Sequence, residues 1–290
     1  MFTTVIRRIV LTGLAALTLT GCGQQVAQTP QGDGEDLLAA GPDREVLSVP
    51  ADYVSAMLEA TGGLSTWMQN KKLQAGGVVK LFRPDGSFYL TEHTLVVYPW
   101  SAALRISADE PRGKFVWQVL DGRYEVLEGE TPLDISPLAG SYQAYTSAVL
   151  QIVTAPVRLL EEATELNREP TPVRIDGQWY QRITAKFGER RVTSKGQAGE
   201  SGAVVAPYWT DGVYFLNRGA GLVDMIWLGN TTNQEYLMVR GYDYNQAEKG
   251  GLRVPSKVEI FRADADGTTR QRLAELDVRG KPERLPLPGI

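Results

Sequence analysis

The 290-residue sequence contains one cysteine, Cys22, and one histidine, His93. A single cysteine rules out an intramolecular disulfide and any CxxC metal or redox site. A single histidine leaves a Ser-His-Asp triad or a His-rich metal centre only one residue to rest on. In a strand its neighbours Glu92 and Thr94 point the opposite way. There is no basic excess either: 30 Lys and Arg stand against 34 Asp and Glu, a net charge of −4. That argues against a nucleic-acid partner and provides no polybasic membrane patch. Neither a cofactor nor a metal is expected. The longest early apolar run, Ile9 to Leu19, has 11 residues, and a membrane-spanning helix needs about 20.

Other motifs that could carry chemistry are incomplete. Gly199-Glu200-Ser201-Gly202-Ala203 approaches G-x-S-x-G, but a polar loop precedes it and no helix follows, so Ser201 is not expected to be a nucleophile. Asp264, Asp266 and Gly267 approach a Ca²⁺ loop, yet the run is too short and lacks the twelfth-position Glu; a hairpin turn is expected. Glu161, Glu162 and Glu165 are placed near a helix C-terminus as solvated groups.

What is present at the N-terminus is a secretory layout: Arg7 and Arg8, then the short apolar run. Leu19-Thr20-Gly21-Cys22 then resembles the bacterial lipobox. The resemblance implies export, diacylglycerol transfer to the Cys22 thiol and cleavage before it, hence a membrane anchor. Gly23 after the cysteine, by resemblance to sorting rules of two-membrane bacteria, favours the periplasmic face of the outer membrane. Cleavage removes two Arg and no acid, leaving 28 bases, 34 acids and a net charge of −6. Residues 22–48, rich in Gln, Gly, Pro and Asp, read as the lipidated cysteine and a flexible tether with a reach of about 30 Å. Residues 49–281 read as one β-rich domain and 282–290 as a Pro-rich tail.

Within the domain, Tyr53, Val54, Met57 and Leu58 mark a first helix stopped by Gly62-Gly63, and a second short helix covers 64–70. Strands are expected at 72–83, 88–98, 102–108, 114–120 and 123–127, with turns at Pro84-Asp85-Gly86-Ser87 and Asp121-Gly122. From 141 to 162 the apolar spacing becomes helical, with Pro156 as a break. Strands return at 173–175, 178–187, 204–209, 213–217, 222–228, 235–242, 255–262 and 270–278, and 188–202 reads as a polar mobile loop. Hairpin connections of this kind give an antiparallel sheet. Leu95 to Tyr98, Phe115 to Leu120 and Leu222 to Leu228 are apolar on both faces, so both faces need cover. About three helices cannot supply it, which leaves a sheet that curls on itself or one that holds an apolar cavity.

The ordered pieces (helix, Gly-Gly, Trp67; the 84–87 hairpin; Pro99 before Leu104-Arg105-Ile106; Trp117 to Gly122 leading to the helix with Pro156 and Leu159-Leu160; Tyr242-Asp243-Tyr244; Gly251 to Pro255) resemble the LolA/LolB-like lipoprotein-carrier superfamily, including its mycobacterial lipid-carrying lipoprotein relatives. The resemblance implies an α+β fold. It consists of a strongly curved antiparallel half-barrel sheet with helices plugging its concave side, which binds acyl chains without catalysis. The expected ligand lining is Leu104, Ile106, Trp117, Val119, Ile183, Ile226 and Met238 from the sheet, with Val149, Ile152 and Val153 as a helical lid. The expected partners are a membrane, through lipidated Cys22, and a hydrophobic ligand or the acyl chains of another lipoprotein; a monomer is expected. Two rival readings make different predictions. An interaction module with a filled core would expose aromatics among Tyr208, Trp209 and Tyr214. A hydrolase would place two carboxyls, one of raised pKa, in a cleft.

Overall fold

Tight turns set the strand boundaries. Asp85 Oδ1 accepts hydrogen bonds from the Ser87 N–H at 2.9 Å and its hydroxyl at 2.7 Å, and Gly86 takes a φ of 84° that closes the hairpin. The same chemistry recurs where the Asp266 carboxylate accepts from the Thr268 N–H at 2.9 Å, beside Gly267 at φ 87°. The expected hairpin turn at 264–267 is therefore observed, with Arg270 donating to Asp264.

A computed structural model describes residues 52–110, 113–120, 123–128, 142–161, 163–192, 203–244 and 251–284. Cys22, the signal segment, the tether, Glu162 and Ser201 lie outside the described residues. The helices are α1 (Asp52–Ala60), α2 (Leu64–Gln69), α3 (Tyr142–Val153) and α4 (Ala155–Glu161), with a 3-10 turn at Pro99–Ser101. The first strands are β1 (Leu73–Phe82), β2 (Phe88–Tyr98), β3 (Ala103–Glu110), β4 (Gly113–Leu120) and β5 (Arg123–Glu128). After the helices come β6 (Ala163–Arg168), β7 (Val173–Ile175), β8 (Gln178–Phe187), β9 (Arg190–Val192), β10 (Ala203–Val205) and β11 (Asp211–Asn217). The chain closes with β12 (Val223–Asn230), β13 (Glu235–Tyr244), β14 (Pro255–Ala263) and β15 (Thr269–Arg284).

Thirteen strands form one antiparallel sheet in the order β5-β4-β3-β2-β1-β15-β14-β13-β12-β11-β8-β6, with β7 on β8. β5 and β6 are its edges, and no pairing among the described residues closes it. This is the α+β half-barrel expected. The order explains where the helices go. β5 and β6 follow one another in the chain but occupy opposite edges, so the connection carrying α3 and α4 must cross the sheet. It crosses the concave side: α3 touches β3, β4 and β5 on one half and β12, β13 and β14 on the other. The break between α3 and α4 falls at Thr154, whose hydroxyl donates to the Leu150 carbonyl. Pro156 sits in the first turn of α4, where a missing N–H costs nothing.

Three segments differ from the expected layout. Arg190–Val192, read as loop, is a strand that pairs with Ala203–Val205, so the expected strand at 204–209 ends early. β6 went unrecognised; Glu165, placed near a helix end, lies on it and pairs with Lys186 at 3.3 Å. β15 continues through Pro282 to Arg284, past the domain boundary at 281, with Leu73 and Gln74 opposite Arg284 and Glu283. A register shift between Gln74 and Gly76 accommodates it, and such an irregularity is where a sheet tolerates proline. No helix of the described residues is long and apolar enough to cross a membrane.

Both sheet faces are apolar, as the sequence indicated, and the alternation separates them into distinct clusters. Leu95, Val97, Phe115, Trp117, Val119, Ile226 and Leu228 join the main core. Their neighbours face outward: Val96, Tyr98 and Leu120 in one small cluster, Met225, Met238 and Trp227 in another. The outer cluster is covered by Val173 and Ile175 of β7 and by arginine. Arg240 and Arg272 lie over the Phe261 ring at 5.7 and 5.3 Å, their stems shielding apolar surface while the charge stays wet.

Candidate functional site between α3 and the concave sheet

Strand register assembles the concave face into continuous rows. One row crosses eight strands as Ile183, Tyr214, Ile226, Val239, Ile260, Ala274, Leu81 and Tyr89. The next runs Gly241, Val258, Leu276, Val79 and Thr91. On the far half, Leu104 pairs with Val119 and Ile106 with Trp117. α3 is laid against these rows, and every residue from Ala144 to Ile152 is buried.

The structure therefore gathers most of the expected lining. Leu104, Ile106, Trp117, Val119, Ile183 and Ile226 from the sheet and Val149 and Ile152 from α3 belong to one buried cluster, with Val153 packed against its margin. They form two patches, one on β3 and β4 and one on β8 and β12, bridged by α3. Met238 is placed apart. It lies between Leu237 and Val239, which face the core, and so projects into the outer cluster with Tyr180 and Met225. Val239, Ile260, Leu276, Val79 and Leu81 belong to the same cluster and are not among the expected lining. Apolar residues at every second position were the available signal, but Val78 beside Val79 and Met238 beside Val239 leave the phase open, and choosing the inward one needs the register.

The interface is polar at a few points. The Tyr214 hydroxyl donates to Gln151 Oε1 at 2.8 Å, tying β11 to α3. Thr146, Ser147, Thr154 and Arg158 are also buried along α3 and α4. Burial, with the Tyr89 phenol beside it, pushes the Tyr145 phenol well above its usual range. His93 is buried and meets the Trp117 ring edge-on at 5.7 Å, the setting of a core side chain. Trp209 and Tyr214 are buried too, at 2 % and 0 % exposure, so neither is the exposed aromatic the interaction-module reading called for; Tyr208 is half-buried.

Clefts open away from this interface. One of about 490 Å³ lies where α3 begins, lined by Gln143, Tyr208, Glu235, Tyr236 and Arg262. There the Tyr208 hydroxyl donates to Glu235, and burial raises the Glu235 carboxyl above its ordinary value. Another of about 240 Å³ is lined by Asp176, Tyr180, Asp224, Arg240 and Asp243. It contains the carboxyls and the raised pKa that a hydrolase would need, since burial raises Asp224 against the lowering effect of its hydrogen bonds. The geometry gives Asp224 another task. The β11–β12 register skips it, with Leu216 opposite Val223 and Phe215 opposite Met225. Its Oδ2 accepts the Asn217 amide at 2.8 Å and the Tyr180 hydroxyl at 3.3 Å. Asp224 pins a β-bulge.

No protein-family model and no curated protein matches the chain. Solved structures do. A LolA superfamily protein from Nitrosomonas europaea superposes with a TM-score of 0.50 at 12% identity, over 82% of this chain and 96% of that one. The chain shares the fold of that protein. An outer membrane lipoprotein-sorting protein domain from Vibrio parahaemolyticus gives a TM-score of 0.43 at 12% identity, over 79% and 89% of the two chains. The Mycobacterium tuberculosis lipoprotein LppX gives 0.26 at 12% identity, over 82% and 98%. At these identities the LolA-like likeness concerns the path of the backbone. The residues facing the concave side are this chain's own.

Proposed function

We propose that this protein is a membrane-anchored, non-enzymatic binder or carrier of a hydrophobic ligand in the bacterial cell envelope, an acyl lipid or the acyl chains of another lipoprotein. The observation that carries the reading is the crossing of α3 over an unclosed, apolar concave sheet, with both patches of the expected lining beneath it. An acyl chain would enter beside α3 and exchange helix-to-sheet contacts for chain-to-sheet contacts. Each buried methylene contributes about 0.8 kcal/mol, so a chain of ordinary length offsets the loss of helix packing.

The anchor follows from the lipobox resemblance at Cys22, and the outer-membrane side from Gly23. Names among the structural neighbours, a lipoprotein and a lipoprotein-sorting domain, agree with an envelope setting. The test is native mass spectrometry with organic extraction of the full chain carrying Cys22→Ser, purified from a bacterial envelope. Co-purified lipid of defined mass supports the reading. A ligand-free mass, together with failure to bind a fluorescent fatty acid, would replace it with a surface lipoprotein that docks a protein partner. Anchoring is tested separately: labelled palmitate should enter the parent and not the Cys22→Ser variant.

A further inference from the structure

The concave face changes character at one end. Thr91 on β2 is 5 % exposed and Tyr145 on α3 is 0 % exposed, yet neither hydroxyl has a hydrogen-bond partner. The two belong to one neighbourhood. Tyr89 and Thr91 share the inward face of β2, and the Tyr89 phenol lies beside that of Tyr145. The row reaching Thr91 is otherwise Val79, Leu276, Val258 and Gly241, without a polar side chain.

Buried hydroxyls are nearly always paired, and an unpaired one destabilises the fold. Valine fills the volume of threonine and phenylalanine that of tyrosine, each without that cost. Two such hydroxyls, on different elements and buried against the same apolar concave face, point to a partner that arrives from outside the chain. We propose that Thr91 and Tyr145 receive the polar end of the bound ligand. The hydroxyl and phenol hydrogen-bond an uncharged head such as the ester, amide or hydroxyl of an acyl lipid. The acyl chain runs from there along the aliphatic rows beneath α3 towards Ile152 and Gly241. A hydroxyl and a phenol held neutral by burial offer hydrogen bonds and no charge, so they suit a neutral head and not a free carboxylate or phosphate. This inference rests on the reading that the concave face takes an acyl chain.

The experiment uses the full chain carrying Cys22→Ser, with Thr91→Val and Tyr145→Phe made in it singly. Monooleoylglycerol, oleate and octadecene, delivered on cyclodextrin, compete for the protein, and native mass spectrometry reads the bound species. The parent is expected to prefer monooleoylglycerol to both of the others. Each substitution should cut that preference roughly fivefold to tenfold and leave octadecene binding unchanged. Each should also raise the melting temperature of the ligand-free protein, because it removes an unpaired buried hydroxyl. An unchanged preference in both variants overturns the inference. So does a lower melting temperature in both, which would mean the hydroxyls already have partners. If octadecene binds the parent and monooleoylglycerol has no advantage, the assignment of the head fails while the apolar channel stands. If no probe binds the parent, both fall together.

Discussion

Gly241 on β13 faces Ile152 on α3, and a Cβ built on the glycine would stand 3.2 Å from Ile152 Cγ1 and 3.1 Å from Pro255 Cβ. That close approach is what lets α3 settle onto the sheet. Gly241→Ala should therefore push the helix outward by a few tenths of an ångström and cost about 1–3 kcal/mol, the usual penalty of overpacking. The urea midpoint should fall accordingly. Acyl-chain affinity should rise at the same time, because weakening the closed form favours the ligand-bound one. A fall in stability with no gain in affinity would mean that α3 does not yield to ligand.

The Tyr214 to Gln151 hydrogen bond makes a second prediction. Tyr214→Phe removes the donor of this buried bond, at an expected cost of about 1–3 kcal/mol. Combining it with Gln151→Leu should cost less than the two single changes added together, with a coupling of about 1 kcal/mol in a double-mutant cycle. Additive effects would show that the bond does not hold helix to sheet.

Asp224 and Glu235 predict a pH dependence. Burial raises both carboxyls above their ordinary values of 3.8 and 4.5, so the folded protein holds these protons more tightly than the unfolded chain does. Their contribution to stability is full below those ordinary values. It is lost as pH rises through the raised folded values. Relative to a variant carrying Asp224→Asn and Glu235→Gln, the parent should gain stability as pH falls from neutral towards 4. Urea midpoints of the two proteins across that range check the sign; a parent that loses stability relative to the variant on acidification contradicts it.

Much of the fold was legible because turns and periods are local. β2, β7 and β8 have the bounds the sequence suggests, since Asp85-Gly86 and Asp176-Gly177 mark where one strand must stop and the next begin. β6 was missed because Ala163 to Arg168 is a short, half-polar edge strand that depends on β8 for its identity. β9 was missed because Arg190-Arg191-Val192 looks like loop until Ala203 to Val205 pairs with it. The candidate site was legible as a composition and only partly as a face. Leu237, Met238 and Val239 are all apolar, and only pairing with β12 and β14 decides that the methionine looks outward. Thr91 gave no signal in the sequence, and Tyr145 reads there only as part of the apolar face of the helix. Their meaning depends on what does not lie next to them, which no linear pattern records.

β1 and β15 are neighbours at the middle of the sheet, joined by Lys80 and Glu275, which lie 195 positions apart and meet at 3.2 Å. The keystone is thus the last of the described strands to be made. Until it arrives, β1 and β14 are both bare edges, and the molecule is two half-sheets sharing one helix. Pairing over such a separation is slow, and bare edges recruit other chains. A chain delivered N-terminus first therefore spends its most adhesive moments waiting for residues 269–284, and anything that holds the nascent protein open must remain attached until the tail is through.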